Sequence, residues 1–127
     1  IDGLDGNVHY LCNSGIELYG IKFYGVPMFM SDCITEQQSL NYAQIPINAD
    51  VLITHTPPFG ILDFDDNINY GSDELLSRIE VVKPRMHLFG HIHAQHGMKV
   101  LNGITFSNGA VMNADYSSLA SPNIIEI

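Results

Sequence analysis

The chain has 127 residues, enough for one domain that buries roughly two thirds of its unfolded surface. Apolar residues make up 46% with no run long enough to span a membrane, and a formal charge of −9 with five Lys plus Arg argues against nucleic-acid or anionic-membrane partners. Two cysteines, Cys12 and Cys33, are too few for a disulfide scaffold; with no signal-peptide pattern they point to a reduced, cytoplasmic protein in which both read as small buried residues.

Residues 9–12, 16–19 and 21–26 are rich in β-branched and aromatic side chains and are separated by "NSG" and "G", the pattern of three short strands joined by tight turns. Residues 35–43 form a short helix capped around residues 31–35. In "ADVLITHTPP" a continuous apolar strand, 51–54, is broken at Pro57-Pro58. Residues 61–71 are polar and acidic; "DFDDN" lacks the spacing of a calcium loop and reads as a solvated loop. Ser72 caps a helix with Asp73 and Glu74 in its first turn, running to about Val82 before Pro84 stops it. A second apolar strand, 86–89, follows. Asn102-Gly103 joins strands 99–101 and 104–107 as a hairpin, and a last strand covers 123–127.

Two continuous apolar strands flanking one helix predict a parallel pair in an α/β sheet, with the crossover helix packed on it. Ligands in such sheets bind at the carboxyl ends of the strands. Here those ends are His55 and Gly90-His91.

Three of the six histidines, His91, His93 and His96, crowd into "GHIHAQH". Neutral imidazole is the commonest transition-metal ligand, and residues at i and i+2 of an extended segment point to one side. His91 and His93 are therefore candidate ligands for one ion or two neighbouring ions, with His55 supplied by the adjacent strand. Gly90 is expected to turn the chain over the sheet end through a backbone angle that a side chain would disfavour. Pro57, with Pro58, stiffens the turn that holds His55. His96 lies past the turn, as a surface residue or a substrate-phosphate contact. His87 and His9 fall inside expected strands and read as structural. No nucleophile elbow, dinucleotide fingerprint or P-loop is present.

"VLITHTPP" followed by "LFGHIH" resembles the last two metal-binding motifs of the calcineurin-like metallophosphoesterases. With "GIKFYGVP", "THTPPFGILD", "LFGHIHAQHG" and "ITFSNGA" the chain is similar to the subgroup of small metallophosphoesterase-domain proteins, from about Val8 to Ile127. The resemblance implies a two-sheet αββα sandwich with a dinuclear centre of divalent Mn, Fe or Zn ions at the strand ends. His55 and His91 would ligate the second metal and His93 the first. The implied reaction is hydrolysis of a small phosphomono- or phosphodiester by a metal-bound hydroxide. His96 and Asn108, the latter in "SNGA", are candidate substrate-side contacts.

The family's earlier motifs, an Asp-x-His, a Gly-Asp and a Gly-Asn-His followed by an acid, are missing. Gly6-Asn7-Val8-His9 is no substitute, because Val8 moves the histidine to the wrong face. The expectation is that residues 1–127 form a single, incomplete domain, the C-terminal part of the fold. Three histidines alone can hold one ion with waters completing its shell. Two readings follow. One is part of a metallophosphoesterase, completed by a complementing N-terminal chain. The other is a catalytically silent module that binds one metal weakly and assembles, as a homodimer for instance, through an exposed sheet edge.

Overall fold

The apolar segments pair into one six-stranded sheet in a computed structural model whose described residues are 6–113 and 115–127. In chain order the strands are β1 (Ser14–Leu18), β2 (Ile21–Val26), β3 (Val51–Thr54), β4 (Phe64–Asp65), β5 (Ile68–Asn69), β6 (Met86–Phe89), β7 (Gly97–Leu101) and β8 (Ile104–Asn108). The helices are α1 (Met30–Ile34), α2 (Gln37–Ala43) and α3 (Asp73–Val82). The sheet order is β1-β2-β3-β6-β8-β7, and β4-β5 forms a separate two-stranded ladder. Strands β2, β3, β6 and β8 run parallel; β1 and β7 are antiparallel edges. This is the expected mixed α/β architecture, including the parallel β3-β6 pair joined through α3.

Side-chain alternation explains the packing. Leu52, His87 and Phe106 are paired across β3, β6 and β8, so they share one face of the sheet. There Leu52 and Phe106 join Leu75, Ile79 and Val82 of α3 and Tyr42 of α2 in one core cluster. Ser72 caps α3 as its pattern requires, its Oγ accepting from the Leu75 N–H. Tyr19-Gly20 and Asn102-Gly103 turn with positive φ at both positions (52° and 78°; 50° and 78°), the geometry of tight hairpins.

Several expectations are corrected. Residues 9–12 are not a strand. Leu11 lies across the face of β2, where a Cβ at Gly25 would sit 2.5 Å from the Leu11 Cβ, so this segment crosses the sheet rather than extending it. His9 is accordingly exposed and outside any strand. The helix expected over 35–43 is present as α2 but begins only at Gln37, and α1 precedes it unexpectedly; Glu36 between them is left-handed (φ 63°) and cannot continue a right-handed ladder. Residues 123–127 make no ladder; Asn123 instead anchors the tail, its Nδ2 donating to Gly97 O, Ser107 Oγ and Asn108 O at 2.9–3.1 Å. Cys33 is exposed and Cys12 only partly buried.

The acidic loop is not simply solvated. Asp63 is buried and accepts from Gly60 N, Gly71 N and Asn69 Nδ2 at 2.8–2.9 Å, which clasps the loop shut around the β4-β5 ladder. Gly71 completes the closure: a Cβ there would meet the Pro58 carbonyl oxygen at 2.2 Å, so only glycine fits.

Candidate functional site

Because β3 and β6 are parallel neighbours, their carboxyl ends open at the same edge of the sheet. The Gly90 N–H donates to the His55 carbonyl at 3.2 Å, tying the two strand exits together. Immediately beyond, His55 Nε2 and His91 Nδ1 face each other at 3.1 Å, with ring centroids 4.7 Å apart and planes inclined at 52°.

The turn expected at Gly90 occurs one residue later. His91 has φ +73°, Gly90 is not among the residues with positive φ, and a Cβ on Gly90 would find only Ala110 N, at 4.0 Å. The Ile92 N–H donates back to Gly90 O at 2.9 Å, closing a γ-turn centred on His91. Such a turn is rare and strained for a residue with a side chain. It aims the imidazole back at His55.

This geometry also changes the place of His93. The i, i+2 expectation assumed extended backbone, but the γ-turn precedes His93 and a 3-10 turn, His93–Gln95, begins on it. His93 stacks edge-on to Tyr116 with centroids 5.0 Å apart. Its Nδ1 is buried with no hydrogen-bond partner among the described residues, as is the Nδ1 of His96. Among the described residues no three His, Cys, Asp or Glu side chains converge as a metal-holding group. The fold therefore brings together His55 and His91 and leaves His93 beside them. His91 and His93 share an open pocket of about 200 Å³ with Asp65, Tyr70, Ile92 and Tyr116.

The two convergent nitrogens fit part of a metal shell. Imidazole nitrogens lie about 2.0–2.1 Å from a bound ion, so two adjacent ligands are about 2.8–3.4 Å apart between octahedral and tetrahedral geometry. The observed 3.1 Å falls in that range. Burial, and secondly the neighbouring His91, lower the pKa of His55 from its ordinary value, favouring the neutral ring that metals require.

Asn108 has a different task from the expected substrate contact. It is fully buried, and its Nδ2 donates to Ile92 O at 2.8 Å and Leu62 O at 3.2 Å while its Oδ1 accepts from Ala110 N at 3.0 Å. With its amide so engaged, Asn108 fixes the His91–His93 loop against the acidic loop. Pro57 is buried, and its carbonyl accepts from the Ser72 N–H at 3.1 Å, pinning the His55 turn to the start of α3. Asp65, Tyr70 and Tyr116 escaped the sequence reading. An acidic run signals exposure but not which carboxylate a ladder will turn inward, and nothing near Tyr116 marks it.

No family model matches the chain. A UPF0046 protein of Caenorhabditis elegans is 39% identical over 133 residues, covering 95% of this chain and 47% of the relative. Metallophosphoesterase domain-containing protein 1 of Homo sapiens is 30% identical over 141 residues, covering 100% of this chain and 42% of the relative. The chain thus spans less than half the length of these curated relatives. A solved crystal structure shares the fold, with a TM-score of 0.57 at 18% identity over 79% of this chain and 45% of the other. By sequence along its whole length, the chain is a relative of the metallophosphoesterase-domain proteins.

Proposed function

We propose that this chain carries the His55–His91 portion of a divalent-metal site in a phosphoesterase acting on a small phosphomono- or phosphodiester. The observation that carries the reading is the 3.1 Å approach of His55 Nε2 and His91 Nδ1 at the ends of two parallel strands. Manganese, iron and zinc all suit imidazole donors. Such an ion, when bound, neutralises phosphate charge and acidifies a coordinated water. That local positive field lets a chain of net charge −9 accept an anionic ester.

In this reading His55 and His91 hold the ion, and His93 offers its unpartnered nitrogen to a neighbouring ion or phosphate oxygen. His96 stands on the substrate side, and Asp65, Tyr70 and Tyr116 border the space that the ester occupies. Further ligands come from outside the described residues, including a complementing chain equivalent to the other half of the relatives. The setting is cytoplasmic; among the described residues no helix is long and apolar enough to cross a membrane.

A second reading, a silent module assembling through a sheet edge as a homodimer, is favoured by edge strand β7, where Met98 and Val100 are exposed.

The test is calorimetric titration of the purified chain with Mn²⁺, Fe²⁺ or Zn²⁺, beside His55→Ala and His91→Ala, with turnover of chromogenic phosphomono- and phosphodiesters. Each substitution should weaken binding by roughly ten-fold or more, since it removes one of two donors. Unchanged affinity in both variants would falsify the assignment. A metal-free chain that is dimeric in solution and inactive on both esters supports the second reading.

A further inference from the structure

His87 of β6 is a polar group fully buried in the sheet beneath the helices. Its Nε2 lies 2.8 Å from Thr54 Oγ1, and Thr54 Oγ1 in turn donates to the Thr56 carbonyl at 2.6 Å. A hydroxyl has one proton, and a carbonyl oxygen can only accept. The Thr54 proton is therefore committed to Thr56, and the contact with His87 requires the proton to sit on His87 Nε2. The other tautomer would set a nitrogen lone pair against an oxygen lone pair. His87 Nδ1 is then bare, and it has no hydrogen-bond partner among the described residues.

The chain of donors continues toward the site. Thr56 Oγ1 meets Tyr42 OH at 3.2 Å and donates to Met28 Sδ at 3.7 Å. Tyr42 is itself buried in the core. Both residues flanking His55 are thus gripped from the buried side, Thr54 by His87 and Thr56 by Thr54 and Tyr42. The His55 carbonyl is held from the other strand by Gly90 N–H. Only the His55 imidazole is left free to face His91.

We propose that His87, as its Nε2–H tautomer, and Thr54 form a positioning relay that fixes the turn after β3 and presents His55 Nε2 to His91. The inference rests on the metal reading of that histidine pair and deepens it: His87 touches neither ion nor substrate and acts through Thr54 and Thr56. Outer partners that orient a ligating histidine typically change metal affinity ten- to hundred-fold when removed.

The test compares the full chain with Thr54→Val, which keeps the β-branched shape but removes both hydrogen bonds, and with Thr54→Ser, which restores the hydroxyl. Zn²⁺ affinity should fall roughly ten-fold or more in Thr54→Val and stay within about three-fold of the parent in Thr54→Ser. Long-range ¹H–¹⁵N spectra of the metal-free parent chain should show the proton on His87 Nε2. A folded Thr54→Val variant binding Zn²⁺ like the parent overturns the relay, and so does a proton found on His87 Nδ1. If Thr54→Val does not fold, the tautomer in the parent decides. If the parent binds no Zn²⁺, the metal reading falls. The relay is then judged on the metal-free proteins, where unchanged His55 ring resonances in folded Thr54→Val overturn it.

Discussion

Acid should destabilise this protein through His87 more than through any surface group. Burial pushes its pKa down to about 3, against about 6.5 in the unfolded chain. Because the folded-state value is the lower one, the unfolded state binds the proton first. The stability this residue permits is complete above about pH 6.5 and drains away as pH falls toward 3. Each pH unit in that window costs about 1.4 kcal/mol, so two units below the unfolded pKa the loss is about 3 kcal/mol, a large share of a small domain's stability. Urea unfolding at about pH 7 and about pH 4.5 measures it, with His87→Leu as the non-titrating reference in which carboxylate contributions cancel. The parent should lose about 3 kcal/mol more than the variant. Equal losses in both proteins would refute the reasoning. So would an NMR titration of the native parent in which the His87 ring protonates with an ordinary midpoint.

Other substitutions follow from the same packing. Asp63→Ala removes the acceptor of three N–H groups inside a closed loop and should cost about 2–4 kcal/mol by urea unfolding, with Asp63→Asn falling between. Gly71→Ala drives a Cβ into the Pro58 carbonyl and should destabilise by more than about 2 kcal/mol, whereas Gly90→Ala, with open space at that position, should shift thermal unfolding by less than about 0.5 kcal/mol equivalent. Leu75→Ala, at a fully buried core position, should cost about 2–5 kcal/mol. Ser72→Ala loses the cap of α3 and should cost about 1 kcal/mol, read from the same denaturation curves.

Much of the frame was legible from local pattern. Val51–Thr54 and Met86–Phe89 are continuous apolar runs, and between them Ser72, Asp73, Glu74 and Pro84 mark the ends of α3, so the parallel pair and its crossover could be read directly. The convergence of His55 and His91 followed from that, since parallel neighbours end at the same edge. What local pattern missed was conformation decided by distant contacts. Residues 9–12 have strand composition, yet Leu11 finds Gly25 and crosses the sheet. "DFDDN" has loop composition, yet Asp63 turns inward because Gly60, Asn69 and Gly71 bring it three donors.

By itself, then, the amino-acid order determined the central strands, α3 with its cap and stop, the Asn102-Gly103 hairpin, and the arrival of His55 and His91 at the sheet's carboxyl edge. Those outcomes depend on side-chain period, caps and prolines, all interactions of short sequence range. The tertiary structure alone decided that His91 rather than Gly90 takes the strained turn, that His93 stands apart from the convergent pair, and that Asn108 is buried against two carbonyls. It also decided the proton on His87, whose partner Thr54 lies 33 residues earlier in the chain. A tautomer, a turn and a burial are each set by which atoms arrive from elsewhere, and that information exists only once the chain has folded.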